Sequence, residues 1–219
     1  MTQHILLVRH GETEGNLEQI AHGQTESPLN ERGQQQAALT AEFLTGWDRE
    51  YHLVYASPLS RAHHTGEAIA DRLGIPLHVH TGLMEGNLGK LEGVTYRELH
   101  EFGYAKYSIR DDDFDDHGGE SPNRLGDRMA GALAEIRSRH PDENIIIVSH
   151  GAAISHLLAR LLDTKPAFGH QYLMHNAAIT ELHFHEPDGT PTLTVLNHYD
   201  HLPEELRADP VRSDANAKK

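Results

Sequence analysis

Apolar side chains in this sequence gather in short unbroken runs separated by longer amphipathic stretches. Ile5–Val8, Leu53–Ala56 and Asn144–Val148, the last with three consecutive isoleucines, are the clearest runs. Runs without polar alternation suit strands buried on both faces of a parallel sheet. Between them the spacing becomes helical. Glu31–Leu44 places Ala37, Ala41 and Leu44 on one face, and Leu59–Leu73 is closed by Gly74 and Pro76, a helix stop signal. Leu125, Met129, Leu133 and Ile136 predict a helix ended by His140-Pro141, and Gly151–Leu162 predicts another. Ala178–Phe184 and Thr192–Asn197 read as strands joined at Pro187-Asp188-Gly189, the signature of a hairpin. Strands alternating with helices predict an α/β fold of three layers, α/β/α, with a mostly parallel central sheet. Gly86–Asn123 breaks the alternation. It is polar and glycine-rich, so it is expected to cover something rather than to build the sheet.

The chain has 219 residues, the size of one sizeable domain, expected over residues 1–208 with a polar tail over 209–219. Thirty-three acidic against 19 basic side chains give a formal charge of -14, which opposes a nucleic-acid partner. With no cysteine, disulfides, thiolate metal sites and cysteine nucleophiles drop out. No apolar stretch is long enough for a membrane span, and the apolar run near the start is too short for a signal peptide. A soluble, cytoplasmic protein is expected.

In open α/β sheets ligands bind beyond the carboxyl ends of the strands. The residues there are Arg9-His10-Gly11-Glu12-Thr13, Ser57-Pro58-Leu59-Ser60-Arg61 and Ser149-His150-Gly151. His-Gly by itself is weak, since it also occurs at His22 and His117. Position raises its weight. Two arginines and two histidines meeting at strand ends suit phosphoryl transfer. Guanidiniums grip phosphate oxygens bidentately. A neutral imidazole attacks phosphorus, and a second stabilises the charge that develops. A carboxylic acid must protonate the leaving alkoxide.

These residues also resemble a known family. Leu7-Val8-Arg9-His10-Gly11-Glu12-Thr13, Ser27-Pro28-Leu29-Asn30-Glu31-Arg32-Gly33, Ser57-Pro58-Leu59-Ser60-Arg61-Ala62, Leu83-Met84-Glu85, Gly118-Gly119-Glu120-Ser121 with Arg128, and Val148-Ser149-His150-Gly151 occur in the order seen in the histidine phosphatase superfamily. The closest likeness is to its phosphoglycerate-mutase-like branch. The resemblance runs from about Ile5 to His198. It implies His10 as nucleophile, Arg9, Arg61 and His150 as holders of the phosphoryl group, and Glu85 as proton donor. It further implies Asn16 and Gly151 beside the phosphate, and Thr13 and Gln24 along the substrate. The chain departs from the family at Gly66, where alanine is frequent, and at Leu91, where tryptophan is frequent.

The expected activity is hydrolysis of a small phosphorylated metabolite, with no cofactor and no metal. The many histidines include the pairs His78/His80 and His183/His185 but no His-Glu-x-x-His pattern. Asp111–Asp116 lacks the glycine and distal glutamate of a calcium loop. Two alternatives stay open: a cofactor-dependent phosphoglycerate mutase, and a non-catalytic phosphate-binding protein on the same fold. Mutases of this branch carry Arg-x-Tyr-Gly after the acid, where this chain has Gly86-Asn87-Leu88-Gly89.

Overall fold

The computed structural model describes residues 2–101, 112–162, 164–165, 171–185 and 189–207. Six strands form one sheet: β1 (Gln3–Arg9), β2 (Leu53–Ala56), β3 (Leu77–Val79), β4 (Ile145–Ser149), β5 (Ile179–Phe184) and β6 (Thr192–His198). Their order is β3-β2-β4-β1-β5-β6. The first four in that order run parallel, with Ile5 beside Ile145 and Leu53 beside the same residue. β5 and β6 are antiparallel additions.

The uninterrupted apolar runs follow from coverage on both sides. Leu6, Val8, Val54, Ala56, Ile146 and Val148 point to one face. There they meet Ala41 and Leu44 of α2 (Glu31–Leu44) and Ala62, Ile69 and Ala70 of α3 (Ser60–Leu73). The alternate residues Ile5, Leu7, Leu53, Tyr55, Ile145 and Ile147 point to the other face. They pack on Met129, Leu133 and Ile136 of one helix and on Ile154, Leu157 and Leu158 of another. Each fully buried Ile or Leu contributes about 1.5–3 kcal/mol, so both layers are firmly held.

The helix ends follow local chemistry. The Asn30 side chain accepts from Gly33 N at the start of α2, and Gly74, with φ of 67°, closes α3 in the left-handed region. Two short helices precede the last two: α1 (Glu14–Leu17) near the start and α4 (Tyr96–Glu101) within the expected covering segment. α5 (Pro122–Arg139) begins with a Ser121 cap and proline in its first turn. α6 (Gly151–Leu161) follows β4 directly.

The elements differ from the sequence expectation in four places. β3 has only three residues at the sheet edge and is half exposed, so no buried run announces it. α1 is a single turn, held by reciprocal capping between Thr13 and Asn16. Gly86–Asn123 contains α4 and a small apolar cluster of Leu88, Leu91, Val94 and Leu99 against Ala21. Its last two residues already belong to α5. Finally, Arg9 lies inside β1 and Ser149 inside β4 rather than beyond them. Pro187 and Asp188 of the expected turn, Lys106, Arg110 and Asp111, and the tail at 209–219 lie outside the described residues.

Candidate active site

Three carboxyl ends of parallel strands converge on one cleft of ≈ 210 Å³. Arg9, His10, Thr13, Asn16, Arg61, Glu85 and Gly151 line it, together with His22, Ser27 and Met174. The loop after β1 is drawn tight against α2. A Cβ on Gly33 would stand 2.0 Å from the Glu12 carbonyl oxygen, so only glycine permits this approach. The His10 N–H donates to Ser149 O at 3.0 Å, which ties the ends of β1 and β4 together.

His10 has a fixed tautomer. Its Nδ1 lies 2.6 Å from Gly11 O. A carbonyl only accepts, so Nδ1 carries the proton and Nε2 keeps its lone pair. Burial, then the guanidiniums of Arg61 and Arg9, hold its pKa well below the ordinary histidine value. The neutral, nucleophilic form therefore persists into acid. The limb of a pH–kcat/KM profile that belongs to His10 should fall only well below about 6.5. A profile measured with p-nitrophenyl phosphate checks this, and a His10 limb at or above that value would contradict it.

Arg61 is 3% exposed. It donates to Thr25 O (3.0 Å), Gly23 O (2.7 Å) and, through Nε, to His150 Nδ1 (3.2 Å). An arginine Nε–H only donates, so His150 Nδ1 accepts, and the proton of its neutral ring sits on Nε2. That atom lies 2.8 Å from Ser57 Oγ. Burial and Arg61 push the His150 pKa well down. Both His150 nitrogens are thus engaged. Its ring is 5.2 Å from that of His10. Ser57 is a partner that the strand-end pattern did not single out.

Arg9 donates to Met174 O. A Cβ on Gly151 would come 3.3 Å from Arg9 Nε, so glycine keeps room for the guanidinium. Asn16 spends its Oδ1 on Thr13 N (3.2 Å) and Asn176 Nδ2 (3.1 Å), which leaves its amide N–H groups to the cleft. Asn176 also donates to His10 O at 3.1 Å. The Thr65 hydroxyl accepts from Gly11 N (3.2 Å) and donates to Arg61 O (2.8 Å), linking both sides of the site. Thr65 follows the Ser57–Ala62 motif in the sequence, whereas no short motif marks Asn176, and only tertiary packing brings it in.

Glu85 lies at the start of α6. Its carboxylate accepts from Ala153 N (2.8 Å), Gly86 N (2.9 Å) and Ala152 N (3.2 Å). Arg128 fixes the segment below it, donating to the carbonyls of Gly82, Met84 and Glu85 and pairing bidentately with Glu120. The Gln24 amide donates to Glu85 O at 3.0 Å, and Gln24 is not among the cleft-lining residues. Thr13 lines the cleft while capping α1.

Other acids near the motifs serve elsewhere. Glu12 is buried against Asn30 and Arg32. Glu92 accepts from Gln24 N, Thr25 N and Leu88 N, tying the loop that receives Arg61 to the covering segment. Within the acidic cluster, Asp113 accepts from Asn123 Nδ2 and Asp115 lies 3.9 Å from Arg124. Among the described residues, Asp112–Asp116 line no part of the cleft.

Two groups carry donor sets of the kind metals use: His4, Glu181 and His183, and His63, His64 and Glu67. In the first, Arg49 already pairs with Glu181 at 3.1 Å and donates to His4. An arginine therefore occupies the place of a cation. Neither group belongs to the cleft.

Among the described residues no helix is long and apolar enough to cross a membrane. The fold and the cleft together define a phosphate-handling α/β protein with histidine at its centre. The family model "Histidine phosphatase superfamily (branch 1)" matches residues 5–198, and the chain belongs to that family. "Uncharacterized phosphatase PhoE" of Bacillus subtilis (strain 168) is 34% identical over 182 residues, covering 83% of this chain and 89% of that one. "Phosphoglycerate mutase-like protein 4" of Arabidopsis thaliana is 37% identical over 161 residues, covering 71% and 70%. Among solved structures, phosphoserine phosphatase from Entamoeba histolytica in complex with 3-phosphoglyceric acid aligns with a TM-score of 0.81 and 33% identity. That alignment covers 92% of this chain and 100% of the other.

Proposed function

We propose that the chain hydrolyses small phosphomonoesters without a metal, through a phosphohistidine on His10. The observation that carries the reading is the His10 tautomer: Nδ1–H is tied to Gly11 O, and Nε2 keeps its lone pair in a cleft flanked by Arg9 and Arg61. In the first step Nε2 forms a bond to phosphorus and the ester P–O bond breaks. The electron pair leaves with the alcohol oxygen, which takes a proton from Glu85. In the second step the Glu85 carboxylate takes a proton from water, the water oxygen bonds to phosphorus, and the N–P bond breaks to restore the imidazole. Arg9 and Arg61 stabilise the charge spread over the phosphoryl oxygens, with Asn16 and Gly151 beside them. His150, beside His10, borders the phosphoryl group and holds Arg61 in place.

Residues 1–208 form the catalytic unit in this reading, and 86–123 cover the cleft. Gly86, Asn87 and Leu88, in the place of the mutase segment, support hydrolysis over mutase chemistry. A cytoplasmic location belongs to the same reading, and cell fractionation tests it.

The experiment is an assay of the purified chain on p-nitrophenyl phosphate and 3-phosphoglycerate after exhaustive EDTA treatment. Phosphate release should persist, because two guanidiniums supply the charge that a metal would otherwise bring. Loss on chelation with recovery on adding zinc or magnesium would overturn the metal-free mechanism. Rapid conversion of 3-phosphoglycerate to 2-phosphoglycerate in the presence of 2,3-bisphosphoglycerate, with little free phosphate, would favour the mutase.

A further inference from the structure

A second chamber of ≈ 190 Å³ adjoins the cleft. The two share His22, Gly23, Glu85, Tyr96 and Ala152 as walls, so they lie side by side along Glu85. The second chamber is lined by Ala21, Leu88, Leu99, Pro122 and Leu125. On the side of the cleft, Tyr96 and Leu173 are 36% and 46% exposed, so apolar surface continues toward the entrance.

The polar side chains bordering this chamber are His22, Glu85, Asn87, Tyr96, Glu120 and His156. The carboxylates of Glu85 and Glu120 border it. Arg128, the partner of Glu120, spends its guanidinium on that carboxylate and on three backbone carbonyls. His156 also lines the chamber. Its Nδ1 donates to Ala152 O at 2.8 Å, so in the neutral ring Nε2 is an acceptor. Burial holds the His156 pKa below the ordinary value, which keeps that acceptor available near neutral pH.

We infer that this chamber receives the alcohol half of the ester, and that it selects an uncharged, largely apolar alcohol whose own hydroxyl donates to His156 Nε2. The inference rests on the phosphatase reading and names the substrate class for it. Glu85 then stands at the junction of the two chambers, where the bridging oxygen lies. An apolar body gains by leaving water for these walls. A carboxylate or second phosphate in its place would lose its hydration against these walls, with the Arg128 guanidinium already committed to Glu120 and backbone carbonyls. His156 is a specificity-determining residue, since a buried acceptor discriminates against an alcohol that leaves it unpaired.

The test compares three esters of primary alcohols, so that leaving-group chemistry is similar: 2-(3-hydroxyphenyl)ethyl phosphate, 2-phenylethyl phosphate and 3-phosphoglycerate. Their kcat/KM values should fall in that order, by about tenfold at each step, the size of one neutral hydrogen bond or a modest apolar contact. His156→Leu should bring the ratio of the first two toward one. His156→Gln keeps an acceptor and should preserve the ratio, which separates recognition from damage to the fold. Faster hydrolysis of 3-phosphoglycerate than of both aryl esters would overturn the inference while leaving the phosphatase reading intact. Survival of the hydroxyl preference in His156→Leu would also overturn it. Failure to hydrolyse any of the three esters, or p-nitrophenyl phosphate, would remove the phosphatase reading and the inference together.

Discussion

His10→Ala should lower turnover of every phosphomonoester by on the order of 10⁴-fold or more, because it removes the imidazole nitrogen, flanked by Arg9 and Arg61, that forms the covalent intermediate. The loss should fall on chemistry and not on folding. His10 is a cleft residue at the end of β1, and its side chain makes one short hydrogen bond, to Gly11 O. Losing that bond costs about 1 kcal/mol, partly offset because a buried ring no longer sits between two guanidiniums. His10→Asn sharpens the test. The Asn amide nitrogen can take the place of Nδ1 and donate to Gly11 O, but it has no nucleophilic lone pair to replace Nε2. Both variants should keep the thermal midpoint within a few degrees and lack activity. In the unmodified chain, a quench during turnover should yield a phosphoryl-enzyme that is labile to acid and stable to base. Near-normal activity in either variant would move the nucleophile elsewhere.

What the sequence disclosed of this site tracks how each residue is placed. Arg9, His10 and His150 sit at the ends of strands whose apolar runs are unbroken because helices cover both faces. Such runs are legible without any structure, and the residues that end them are legible with them. Arg61 is the second residue of the helix after β2. Glu85 is different. It follows a short 3-10 turn at Thr81–Leu83 and is held by Arg128, a residue 43 positions away. No local pattern selects it over Glu12, Glu92 or Glu120, and only the family resemblance did. Side-chain direction was less legible still. Gln24 lies in the right loop but turns its amide to the Glu85 carbonyl. His150 lies at the right strand end, but the partners of its ring, Arg61 and Ser57, come from a distant part of the chain that no pattern around His150 announces. β3 and α4 were missed because a three-residue edge strand and a short helix within a polar segment lack the periodicity that marks longer elements.

Glu85→Gln should slow alkyl phosphates by about 10²-fold or more and p-nitrophenyl phosphate far less. An alkoxide needs a proton to leave, whereas nitrophenolate, a weak base, does not. The structure supplies a competing explanation that the experiment must separate. Glu85 accepts three backbone N–H groups and caps α6. A glutamine offers one acceptor oxygen there and would set its own N–H₂ against a backbone N–H. Losing such a cap costs about 0.5–2 kcal/mol, and it would loosen Gly151 and the α6 terminus that border the phosphate. Damage of that kind acts on phosphate binding, which all esters share, so it would slow alkyl and aryl substrates alike. Loss of proton donation acts only on the leaving group. The ratio of the two rates therefore reports the chemistry, and the absolute rates report the cap. A plot of log kcat/KM against the pKa of the leaving alcohol should be nearly flat for the unmodified chain and steeply negative for Glu85→Gln. Parallel lines for the two proteins would show that Glu85 serves only to hold α6, and the proton would have to come from another donor at the junction of the two chambers.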